Sequence, residues 1–179
     1  MYQWKDEDSK DARLQYEFPH GHGAEYFGAA HGYFGILYML LKSFEFLPLQ
    51  EIPNKCFRLL KNTCDYILSN QSENGNFATH AESENYELVH FCHGAPGAIP
   101  FLLECYEFYQ DSKYLRAAEK SGELVSSKGI LKKGNNLCHG ISGNIYCLFN
   151  LYKATGDIKW RTRGYCLANA TYIKSIQIK

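Results

Sequence analysis

The chain has 179 residues, enough for one domain of ordinary size, and its 19 basic and 19 acidic side chains cancel to a formal net charge of zero. That balance excludes a broad electrostatic surface for nucleic acid or anionic lipid. The longest apolar run, around Ile36–Leu41, is far too short to span a bilayer, and Met1 opens a polar stretch rather than an export signal. Seven cysteines, an odd number, therefore read as reduced thiols in a cytoplasmic setting, some of them open to metal binding.

In chain order, the first 25 residues are polar with weak periodicity and carry no clear element signal. They include the pair His20 and His22 in "PHGHG", metal-capable in type but placed where a loop is expected. A helix is expected over 35–46, "GILYMLLKSFEF", and a second over 54–70, with Pro53 at its start, where proline is tolerated. The connector "SENGNF", 72–77, reads as loop or short strand. Helices are then expected over 98–109 and 112–127, the latter capped by Asp111 or Ser112. After "GILKKGNN", 129–136, come 144–157 and 158–176, separated at Gly156-Asp157.

A repeat underlies this order. "GAAHGYFGILY", "HFCHGAPGAIP" and "NLCHGISGNIY" align as a small residue or Cys, then His, Gly, two variable residues and Gly. The three histidines, His31, His93 and His139, lie 62 and 46 positions apart. Each motif opens one helix and each is followed by a second, so the unit is a helix pair. Such pairs cannot bury their faces alone and must stack as a solenoid or close as an α/α toroid. Three pairs are few for a closed ring.

Cys92, His93, Cys138 and His139 supply the thiolate and imidazole that zinc prefers, although no CxxC spacing is present. Equivalent loops at helix N-termini on one face of a repeat array converge, so two distant Cys-His dipeptides can form one site. Helix N-termini also favour thiolate. The rival reading makes His-Gly a helix-entry device and each cysteine a small buried apolar residue. Residue types alone leave open which of the four would bind. His31, with Ala30 in place of cysteine, reads equally as an acid/base group or as a structural histidine. Cys56, Cys64, Cys105, Cys147 and Cys166 are expected to pack within helices, and His80 and His90 to be loop or helix-start groups. Lys132-Lys133 reads as a solvated loop or as a cation presented to an anionic ligand.

"GAAHGYFGILYML", "LVHFCHGAPGAIPFL" and "KKGNNLCHGISGNIYCLFNLYKATGD" together resemble the eukaryotic lanthionine synthetase C-like proteins, relatives of the bacterial cyclases that close thioether rings. The resemblance runs from about Tyr16 to about Leu167, with the "NGNF" connector in place between the first two motifs. It implies an all-α chain, a single partial α/α toroid domain over 1–179, here an incomplete ring covering roughly repeats four to six of seven. It implies zinc held by Cys92, Cys138 and His139, with His93 beside the metal, His31 as the active-site histidine and Lys133 contacting glutathione. The implied chemistry is zinc-dependent addition of the glutathione thiolate to dehydroamino acids in peptides or proteins. Phe91 stands where the family usually has tryptophan. The missing repeats imply a fragment, a truncated gene model or a shortened isoform, with apolar faces exposed at its edges. They also keep alive a non-catalytic module that binds zinc or glutathione in signalling, and an inactive fragment. Localisation is expected to be cytoplasmic. Any membrane association would be peripheral, and because Tyr2 rather than glycine follows Met1, N-terminal myristoylation is not expected.

Overall fold

A computed structural model describes residues 12–16 and 23–177, with side chains placed as far as Tyr172. His20 and His22 lie outside the described residues. Six α-helices follow one another: α1 Tyr33–Ser43, α2 Asn54–Ser69, α3 Ala95–Tyr109, α4 Ser112–Lys128, α5 Ile141–Thr155 and α6 Ile158–Gln177. Two short 3-10 turns lie between α1 and α2. Among the described residues the only β pairing is one isolated antiparallel bridge, Tyr26 with His80. No helix among them is long and apolar enough to cross a membrane.

The helices form three pairs. α1, α3 and α5 stand side by side as an inner row, and α4 and α6 back onto α3 and α5. The breaks between elements follow the expected chemistry. The Asp111 carboxylate accepts the Lys113 N–H at 3.1 Å and caps α4, while Gly156 ends α5 in the left-handed region at φ 69°. Between α1 and α3 lies an aromatic seam. Phe34 stacks on Phe101 at 5.7 Å between centroids and meets Phe77 edge-on at 5.1 Å. All three are buried, and each contributes about 1.5–3 kcal/mol by leaving water. Gly122 on α4 leaves the room that Trp160 of α6 occupies, since a Cβ there would fall 2.7 Å from the indole.

The inner helices begin earlier than their apolar pattern suggests, at Tyr33, Ala95 and Ile141. Both glycines of each motif explain why. A Cβ on Gly32, Gly94 or Gly140 would lie 2.1, 2.1 and 2.6 Å from the carbonyl oxygen of Tyr26, Leu88 and Gly134. A Cβ on Gly35, Gly97 or Gly143 would lie 2.2, 2.1 and 2.2 Å from that of Ala29, Phe91 and Leu137. The offset is always six residues. Each loop folds back beneath the first turn of its own helix, so a main-chain oxygen fills the place of a side chain. Of the six only Gly94 has a positive φ, 104°, so close approach rather than backbone freedom demands the other five.

Pro100 sits inside α3 and removes one helical donor. The carbonyl it leaves without a helical partner, that of Pro96, accepts the buried Cys147 thiol from α5. Cys64, Cys105 and Cys147 are buried as expected, Cys56 is half-buried, but Cys166 is exposed on α6 and packs against nothing in the core. Within the polar N-terminal stretch, Arg13 makes two 3.1 Å contacts to the Glu25 carboxylate and lies 3.8 Å over the Tyr66 ring, which fixes residues 12–16. Met39, Phe46 and Leu47, in and just after α1, and Ile158 and Tyr165 on α6 are exposed apolar side chains.

Gly97→Ala should cost about 3 kcal/mol, because the new Cβ collides with backbone that cannot step aside. Gly156→Ala, with open space but a left-handed φ, should cost about 1 kcal/mol. Urea denaturation of the two variants measures the difference.

Candidate metal centre

Three loops reach the same end of the inner row: 26–32 before α1, 88–94 before α3, and 134–140 before α5. The backbone of Cys92 joins them. Its N–H donates to the Cys138 carbonyl at 2.9 Å, and its own carbonyl abuts Gly28, where a Cβ would sit 1.9 Å away. The result is a cluster of two thiols and one imidazole. One ligand atom each from Cys92, Cys138 and His139 lies within 4.8 Å of the others. Cys92 is 6% exposed, whereas Cys138 and His139 face solvent. Soft sulfur with imidazole suits zinc, and three protein donors leave one position open.

His93 does not join the cluster. Its ring packs 5.5 Å from that of His31 and 5.9 Å from that of Tyr26. Its Nδ1 is buried with no hydrogen-bond partner among the described residues. Burial first, then the nearby His31, lowers its pKa, so His93 is neutral at neutral pH. His31 itself is exposed at the mouth. Lys133 is also exposed, on the third loop, close enough that its charge is felt at His90 and Cys92.

The thiol electrostatics depart from expectation at one point. Helix N-termini should lower a cysteine pKa, yet the Cys92 thiol is pushed up to about 11. Burial is the largest cause and the adjacent Cys138 thiol the next; together they outweigh a backbone hydrogen bond and the charge of Lys133, which pull the other way. Two thiols side by side in a half-dry pocket resist becoming anions until a cation sits between them. The donor set therefore fits a metal ion better than a pair of free thiols.

Several residues that hold the site escape sequence reasoning. His90 lies in the loop before α3, as expected, but is buried there, with its ring 6.4 Å from that of His139. Burial first, then Lys133 and the neighbouring histidines, keeps it neutral. Asn76, seen only as part of a connector, is buried. Its amide donates to the Tyr86 and Leu88 carbonyls, and its Oδ1 accepts the Ala95 N–H at 2.7 Å. Asn144, on the buried side of α5, donates to Val89 O at 3.1 Å and Gly129 O at 3.0 Å. Both asparagines peg the loop that carries Cys92. Asn136 does the same for the third loop, accepting the His139 N–H at 2.9 Å. A small polar residue near a motif glycine was the only available signal.

Stacked helix pairs with a thiol and imidazole cluster at the inner helix N-termini define an arc of an α/α toroid bearing a candidate metal centre. The chain belongs to the lanthionine synthetase C-like family: the family profile described as Lanthionine synthetase C-like protein matches residues 5–177. It is 36% identical over 156 residues to the zebrafish (Danio rerio) protein named Glutathione S-transferase LANCL1, covering 87% of this chain and 37% of that one. It is 34% identical over 164 residues to LanC-like protein GCL1 of Arabidopsis thaliana, covering 90% of this chain and 35% of that one. The chain thus spans little more than a third of the length of these relatives. Among solved structures, nisin cyclase shares the fold, with a TM-score of 0.66 at 18% identity, covering 87% of this chain and 40% of that one.

Asn76→Ala strips the Ala95 N–H and two loop carbonyls of their partner. It should cost about 2 kcal/mol of stability and weaken binding of added zinc about tenfold. Urea denaturation and a chelator competition read the two effects separately.

Proposed function

We propose that Cys92, Cys138 and His139 hold zinc and that the site adds the thiol of glutathione to dehydroamino acids in peptides or proteins. The observation that carries this is the convergence of two thiols and an imidazole from sequence-distant loops, with two further histidines beside them. The name of the zebrafish relative supports glutathione as the thiol, and the family supports a modified peptide as acceptor.

When bound, zinc lowers the pKa of a thiol at its open position, so that glutathione is presented as thiolate at neutral pH. The reaction forms one carbon–sulfur bond at the β-carbon of the alkene and breaks the π bond. The α-carbon gains the proton. His31, exposed at the mouth, supplies that proton in this reading. His93, neutral, packs its ring 5.5 Å from that of His31. Lys133 offers an ammonium to a glutathione carboxylate.

The purified chain should carry about one zinc per molecule by mass spectrometry, lost in Cys138→Ala. A wild type that folds without zinc would refute metal binding by this chain. Because the Cys92 thiol sits at about 11, it is protonated at neutral pH and must release its proton on metal binding. Zinc affinity should therefore rise with pH, about tenfold per unit for each proton released between about pH 6.5 and 8.5. His31→Ala should keep its zinc and slow glutathione addition to a dehydroalanine peptide about 100-fold or more. Lys133→Ala should instead raise the glutathione KM. A chain that binds zinc and glutathione but gives no adduct in either form would favour a non-catalytic binding module.

A further inference from the structure

The inner helices share a second regularity. Counted from the second glycine of each motif, the third position is Tyr38, Pro100 or Tyr146. The seventh is Lys42, Glu104 or Asn150, and the tenth is Glu45, Glu107 or Lys153. All nine line one continuous surface made of two adjoining clefts of about 660 and 520 Å3, which share Tyr38, Pro100 and Tyr146. Equivalent positions on three parallel helices mark it as the concave face of the arc. The upper cleft starts at His31 and is walled by Phe91, Met39 and Phe101. The lower one is charged.

Polarity is graded along this face. Tyr146 and Met39 are 47% and 64% exposed, unusually open for apolar side chains beside a candidate reaction centre. One band further on, Lys42 is taken up by Glu45 at 2.7 Å and Glu104 at 3.0 Å. Glu107 and Lys153 are exposed, and no ion pair engages either among the described residues. Three carboxylates against two ammonium groups leave one negative charge over. The seven positions between the first and last bands are about 10 Å of helix, which about three residues of extended chain span.

We propose that this concave face is the acceptor-peptide groove, seating an extended peptide with an apolar side chain beside the reactive residue and a basic side chain about three residues further on. The placement of the reactive residue beside His31 rests on the reading given under Proposed function. The apolar side chain enters between Tyr38, Tyr146 and Met39. The basic side chain meets Glu107. Specificity then comes from the helix faces and the chemistry from the loops.

The test is fluorescence anisotropy of labelled peptides on the full 179-residue chain, with and without added zinc, using alanine at the reactive position so that no chemistry intervenes. A Leu/Lys peptide should bind about tenfold more tightly than a Ser/Lys one. A Leu/Glu peptide should bind several-fold more weakly than Leu/Lys. Tyr146→Ala and Met39→Ala should erase the leucine preference, and Glu107→Lys, an exposed charge reversal that leaves the core untouched, should invert the charge preference. Equal affinity for the three peptides would overturn the proposal, as would preferences that survive these substitutions. A dimer by size exclusion that excludes peptide would assign the face to a second copy and overturn it too. Peptide selectivity here, with no glutathione addition to the dehydroalanine peptide in the separate activity assay, would sink the enzymatic reading while leaving the groove. Addition without selectivity would do the reverse.

Discussion

The backbone of one residue governs the candidate site. The N–H of Cys92 is held by the third loop and its carbonyl is pressed against Gly28 of the first. Residues 28, 92 and 138 are distant in sequence, and nothing local would bring them together. The contact on each side is main chain to main chain, so it does not depend on which side chains the loops carry. What depends on it is the spacing of those side chains: His31 beside His93 on one flank, Cys138 and His139 against Cys92 on the other. Shifting any of the three loops would change every distance at once.

That junction is possible because each loop is stiff in itself. The carbonyl six residues behind each motif glycine occupies the volume of a side chain, which clamps the loop to the first turn of its helix. Tyr33 N–H donates to Tyr26 O at 2.9 Å and Ile141 N–H to Gly134 O at 3.1 Å; in the middle repeat Asn76 takes over this role for Ala95. The free first-turn donors of a helix are thus satisfied by its own preceding loop or by one buried amide. Beneath them the Phe34, Phe77 and Phe101 seam fixes how α1 meets α3. Loop, helix start and core form one chain of constraint running from packing to chemistry.

Much of this was legible in the sequence, for a physical reason. Stacked repeats must reuse the same backbone device, so its glycines recur at fixed spacing even while neighbouring side chains change. Helix pairs, the order of elements and the four Cys and His candidates all follow from that recurrence. Helix starts were read two or three residues late because glycine and Pro96 look like loop residues, yet the first turn needs no donors there and requires the absence of a Cβ. His90, Asn76 and Asn144 stayed hidden because a polar residue shows its type but not its burial. The raised Cys92 thiol was unreadable for the same reason: desolvation is a property of the folded pocket and has no signature in the sequence. Cys166 shows the opposite error, a helical position assumed to be packed that the fold leaves in solvent.

The same backbone device carries different chemistry in each repeat. The first loop presents Ala30 and His31, the second Cys92 and His93, the third Cys138 and His139. Only the outer two positions of this set change character: alanine removes a thiol from the first loop, and the exposure of the third loop turns His139, unlike His93, toward the thiols. A symmetric scaffold thereby yields an asymmetric site, with two thiols and the His139 imidazole on one flank and the packed rings of His31 and His93 on the other. Asymmetry of this kind is what thiol addition requires, since the sulfur and the incoming proton must arrive at two different carbons. The graded face of α1, α3 and α5 continues the same logic, because its three bands also occupy equivalent helix positions filled with unlike residues.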